Sequence, residues 1–211
     1  MKVKILSLFL VVTLLLSSSA YIVSASSGYD IYHWYSDSDS VRRWTQSTLN
    51  IYVATSSTYD SLNVTNLKSY ISTSMLSWYF VGRGISYVSN KSDANLVLEG
   101  ITRAEATSMD IPTTTLGIAY SSSESTRLAA LYYGGTEKSL YKIIHVDVYL
   151  IESYQNSTVY GATKTTVHEM GHALGYAGHY DAGNVMTTYY NDMSSIYPST
   201  AEENHLGQAY W

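Results

Sequence analysis

Residues 168–179 read HEMGHALGYAGH, a run that calls for a helix with two imidazoles on one face. His168 and His172 stand four apart, so on a helix they project one turn above the other and can grip a single metal ion. This is the ligand spacing of a zinc site. Glu169 points beside such an ion rather than at it, the position of a carboxylate that takes a proton from metal-bound water. Gly175 admits the left-handed residue that ends a helix and turns the chain back, and His179 follows as a third imidazole. The same pair can arise on an amphipathic helix as ordinary solvent-facing residues. Against that, three of the chain's six histidines fall within these twelve residues, with a helix-breaking glycine between the second and third.

The start of the chain has a different character. Lys2 and Lys4 precede an apolar stretch from Ile5 to Leu16, and Val23-Ser24-Ala25 offers a small-residue cleavage site, so residues 1–25 read as a secretory signal peptide. The apolar stretch is shorter than the roughly 20 residues of a membrane-spanning helix, so no stable membrane insertion of the mature chain is expected. A secreted, extracellular protein starting near Ser26 follows. Without Lys2 and Lys4, 10 of the 12 basic residues remain against 17 acidic, a net charge near −7 with histidine neutral. Such a balance disfavours nucleic acid and anionic lipid as partners. The absence of cysteine rules out disulfides, so packing and metal ions must hold the domain. The 186 residues left from 211 suit one domain with its own core, and a monomer is the expected state.

Residues 26–46 carry Asp30, Asp37, Asp39 and the pair Arg42-Arg43 without sustained periodicity, and read as an N-terminal extension ahead of a domain over 47–211. Leu49 to Ala54 alternates as a half-buried strand does. Val64, Leu67, Ile71, Met75 and Trp78 recur at intervals of three and four, predicting a helix from about Leu62 to Phe80 that Gly82 and Gly84 stop. Further strands are predicted at residues 85–89, 95–101, 116–120 and 143–151, with another at 128–133. The helix that carries the histidines is expected to start near Ser157 and run to Gly175. Ser199 and Glu202 have capping-box spacing and open a last helix.

In this order of elements the chain resembles the metzincins, and within them the catalytic domain of the matrixins, over nearly its whole mature length. The family pattern HExxHxxGxxH falls on His168, Glu169, His172 and Gly175. Ser92-Asp93-Ala94-Asn95-Leu96-Val97-Leu98 is similar to the family's third strand, and the step from Gly175 to Met186 has the length that leads to its methionine turn. The resemblance implies an α+β fold: a twisted mixed sheet, a long helix, a zinc-binding active-site helix and a C-terminal helix. It implies a secreted zinc endopeptidase that hydrolyses protein or peptide substrates with zinc-bound water, Glu169 as general base, one catalytic Zn2+ and Met186 as an apolar floor. Leu116, Gly117 and Ile118 would lie on the upper-edge strand, to which an extended peptide can add, while Thr188, Tyr189 and Tyr190 would wall the specificity pocket.

One departure leaves the third ligand open. The family's third histidine falls three residues after the glycine, where this chain has Gly178, and His179 lies one position on. A one-residue bulge could deliver His179; Asp181 is the competing ligand, and Glu202 or Glu203 could serve as in thermolysin-like enzymes. Thr188 stands where the astacin-like and serralysin-like families place a ligating tyrosine. His145 and Asp147 are alone in their strand and read as a polar surface pair, so no second zinc is expected, and structural calcium, though compatible with the family, is not indicated. The different-class alternative is a non-catalytic secreted zinc-binding or surface interaction protein on the same fold. Residues 26–43 are either a solvated tail or a short inhibitory propeptide that caps the zinc with an aspartate, since the cysteine device of many matrixins cannot operate here.

Overall fold

The computed structural model describes residues 40–133, 136–180 and 184–210. The signal-peptide segment, Asp30, Asp37, Asp39 and Asp181 lie outside them. Six strands form one mixed sheet: β1 (Ser40–Arg43), β2 (Thr48–Thr55), β3 (Gly84–Tyr87), β4 (Leu96–Ile101), β5 (Gly117–Tyr133) and β6 (Thr136–Ile151). The order is β1-β6-β4-β2-β3, every pair in that path is parallel, and β5 joins β6 antiparallel. β5 occupies one edge of β6, so β1 and β4 share the other in succession. Four α-helices occur among the described residues: α1 (Val64–Ser77), α2 (Arg103–Ser108), α3 (Val159–Ala173) and α4 (Thr200–Gly207). The fold is α+β.

The sheet closes with α1 and α3 on a main core, beside which lie two smaller apolar clusters. Leu49, Ile51 and Val53 of β2 alternate inward beside Leu96 and Leu98 of β4 and Val146, Val148 and Leu150 of β6. Leu67, Tyr70 and Ile71 of α1 and Val167 and Met170 of α3 complete it. Burial of such a side chain contributes about 1.5–3 kcal/mol, and this shared apolar layer fixes α3 against the sheet. Trp78, fully buried at the end of α1, donates its indole N–H to the Val167 carbonyl at 2.9 Å and so ties the two helices directly.

Several boundaries differ from those the sequence suggests. The helix expected over 62–80 is α1 alone, opened by the Asn63 side chain, closed at Trp78 and flanked by single 3-10 turns at Asp60–Leu62 and Tyr79–Val81; Gly82, at φ 65°, ends the second of these turns. The strands expected at 116–120 and 128–133 are one strand, β5, because β6 extends to Thr136 and pairs along it through three register shifts. Thr158 rather than Ser157 caps α3, its hydroxyl accepting from the Gly161 N–H; Ser157 closes a preceding 3-10 turn. The largest correction concerns residues 40–46. Ser40–Arg43 are a sheet strand, Val41 is 2 % exposed and Trp44 is fully buried, so the extension's last residues belong to the domain.

Candidate metal centre

α3 presents His168 and His172 from one face, as the four-residue step dictates. After the helix, Gly175 turns the chain at φ 111°, where an added Cβ would lie 2.2 Å from the Arg42 carbonyl oxygen, so no larger residue fits. Gly178 takes φ 72°, the local reversal through which the extra residue is absorbed. His179 consequently meets the other two. One ligand atom from each of His168, His172 and His179 lies within 4.8 Å of the others, and the ring centroids are 4.9, 5.2 and 5.1 Å apart.

Backbone carbonyls orient two of the rings. His168 Nδ1 lies 2.8 Å from the Val185 oxygen and His172 Nδ1 2.9 Å from the Tyr176 oxygen. A carbonyl only accepts, so each Nδ1 carries the proton and each Nε2 keeps a free lone pair. Burial drives the His168 pKa down to about 4, against the hydrogen bond to Val185 and with help from His179, and drives that of His172 well below its ordinary value. Both imidazoles are therefore neutral, as a metal ligand must be. Three converging imidazoles with two tautomers fixed in advance fit a transition-metal ion, for which imidazole is a common ligand.

Glu169 faces the same cavity but stands outside the triad. It is 6 % exposed, and burial pushes its carboxyl up to about 8. Gly117 of β5 sits directly over it: an added Cβ there would be 2.7 Å from Glu169 Cγ. Asn156, fully buried, fixes that approach. Its amide N–H groups donate to the Leu116 and Ile151 carbonyls, both at 2.9 Å, and its oxygen accepts from the Thr165 hydroxyl at 2.7 Å. The start of β5 and α3 are thus held one amide apart.

Met186 is fully buried beneath the helix, at Gly171, where an added Cβ would meet its sulfur at 2.6 Å. Its loop hangs on Glu202. That carboxylate, also fully buried, accepts from the backbone N–H groups of Asn184, Val185 and Met186 and from the Ser199 N–H and hydroxyl. The capping box was legible in the sequence; the span back to the methionine loop was not, because only tertiary structure brings residue 202 to residue 185. Glu202 is thereby committed to backbone donors, and the triad contains neither it nor Glu203.

A cavity of about 580 Å³ opens over the triad, lined by Leu116, Gly117 and Ile118 on one side and by Thr188, Tyr189 and Tyr190 on the other, with His168, Glu169, His172 and His179 in its floor. All ten of these residues, singled out from sequence, meet in one cleft. His145 and Asp147 lie elsewhere, paired with each other at 3.3 Å. Compared with known proteins, the chain matches no family profile and no curated protein sequence.

Proposed function

We propose that this chain is a secreted zinc-dependent endopeptidase of metzincin type, closest in plan to the matrixins. The observation that carries the proposal is the convergence of His168, His172 and His179 beside a buried carboxylate in a cleft bordered by an open strand edge. His168, His172 and His179 would hold the zinc, which when bound supplies a Lewis acid and acidifies water at the cleft.

The chain's own groups supply the rest. Among the described strands β5 pairs only with β6, so its outer edge is open to an extended peptide running along it. Glu169, against Gly117, stands beside the path such a peptide would take; its carboxylate takes a proton from the attacking water and returns it to the leaving amine. The dry floor raises the proton affinity of this carboxylate and so strengthens it as a base. Thr188, Tyr189 and Tyr190 wall the pocket that receives a substrate side chain.

The test combines metal analysis with hydrolysis of casein. One zinc per chain and chelator-sensitive hydrolysis are expected, with Glu169→Gln retaining zinc and losing about 10²- to 10⁴-fold in rate. Stoichiometric zinc without hydrolysis would instead make this a non-catalytic zinc-binding protein.

A further inference from the structure

Lys164 stands four residues before His168, hence in the same column of α3 as both helical histidines. It is 7 % exposed. Its ammonium lies 4.3 Å from the centre of the Tyr190 ring and 5.8 Å from that of Tyr160, and donates one long hydrogen bond, 3.4 Å, to the Tyr190 carbonyl. An ammonium has three donors, and among the described residues no carboxylate pairs with this one. Burial lowers its pKa. Thr165, its neighbour on the helix, and Tyr190, whose carbonyl and ring it meets, line the cleft, and Lys164 stands directly behind them.

A part-buried ammonium without a counter-charge is less well solvated than one in open water, and an apolar side chain would back the Tyr190 wall at lower cost. A lysine at this place beside the cleft is explained if the missing anion arrives with the substrate. Resting on the peptidase reading above, we propose that Lys164 is a specificity-determining residue that selects peptides carrying an acidic side chain on the Tyr190 side of the scissile bond. The carboxylate enters past Tyr190 and takes up the ammonium's unused donors, a charge-assisted contact that a carboxamide of the same shape cannot match.

The experiment uses blocked peptides identical except for Glu, Gln or Leu at each position in turn, with the zinc-saturated full chain. The expected result is a kcat/KM for Glu over Gln of about tenfold at one position on the Tyr190 side, the factor that ~1.4 kcal/mol of differential binding produces. Lys164→Met should abolish that ratio and shift preference toward Leu, whereas Lys164→Arg should keep it; thermal melting of each variant identifies any that fails to fold. Hydrolysis of the set with equal rates for Glu and Gln at every position would overturn this proposal and leave the peptidase reading standing. If no peptide is cleaved, the peptidase reading fails, and dissociation constants of the Glu and Gln peptides decide the anion site by themselves. Equal affinities would overturn it; a tenfold preference for Glu that Lys164→Met removes would establish it.

Discussion

Glu202→Gln changes one atom, yet the structure assigns it a large effect. One carboxylate oxygen accepts from the Val185 and Met186 N–H groups at 2.9 and 2.6 Å; the other accepts from the N–H groups of Asn184 and Ser199 at 3.0 and 2.6 Å and from the Ser199 hydroxyl at 2.9 Å. An amide keeps one accepting oxygen and turns an NH2 group toward two backbone donors, whichever way it is placed. Two buried N–H groups then lose their partner, at about 1–3 kcal/mol each, and the remaining bonds weaken with loss of charge. We expect a loss of about 3 kcal/mol or more. For a domain of this size that lowers Tm by roughly 6–12 °C. Val185 also accepts from His168 through its carbonyl, so the loosened loop should weaken zinc binding about 10- to 100-fold, the usual effect of removing a group that orients a ligand. Thermal melting with and without chelator measures the first effect and competition with a fluorescent zinc indicator the second. A Tm within about 1 °C of wild type, or an unchanged zinc affinity, would refute the clamp.

Three further outcomes are expected. Gly171→Ala should lower Tm and zinc affinity, because a Cβ placed 2.6 Å from the Met186 sulfur and 2.7 Å from the Trp78 ring costs about 1–3 kcal/mol, more than the roughly 0.5–1 kcal/mol that alanine gains in a helix; a raised Tm would contradict this. A chain beginning at Trp44 should melt lower, bind zinc less tightly and show no gain in activity against one beginning at Ser26, since it lacks β1 and the Arg43 hydrogen bond to the Ala209 carbonyl; a large gain would decide for the inhibitory-propeptide reading over the solvated tail. Burial alone would raise the Glu152 pKa, but hydrogen bonds from the Thr58 N–H and the Ser57 and Thr58 hydroxyls outweigh it and hold the carboxyl below the usual range. Its stabilising contribution is therefore present above the unfolded value of about 4.3 and lost as pH falls through the lower folded value; Glu152→Gln should flatten the acid limb of a Tm–pH curve, and parallel curves would refute the assignment.

The helical part of the centre was legible because its information is local. Four-residue spacing fixes a helix face without tertiary knowledge, and Gly178 marked where His179 could swing inward. β1 was not legible: of Ser40-Val41-Arg42-Arg43 only Val41 is apolar, and its strand character comes from pairing with Ser139–Lys142 far along the chain. The polar run Ser121 to Thr126 hid the continuity of β5 for the same reason, since a partner strand keeps it extended despite its composition. α2 went unpredicted although Thr102 and Glu105 form a full capping box, because six residues are too few to show a period. Nothing local in the sequence marks Lys164, because its surroundings come from Tyr190, 26 residues further along the chain.

Ala173, Leu174 and Gly175, which turn the chain from α3 toward His179, are each touched from a remote element. The Trp44 indole donates to the first, the Tyr210 hydroxyl donates to the second, and the Arg42 carbonyl packs on the third. The cleft is thereby coupled to the wholeness of the polypeptide. A nick at Arg42-Arg43, or loss of the segment bearing Tyr210, would release the turn and shed the metal before it unfolded the sheet. If the proposed peptidase activity holds, clipped copies would thereby lose it, and zinc retained by nicked protein is the quantity that would show whether they do.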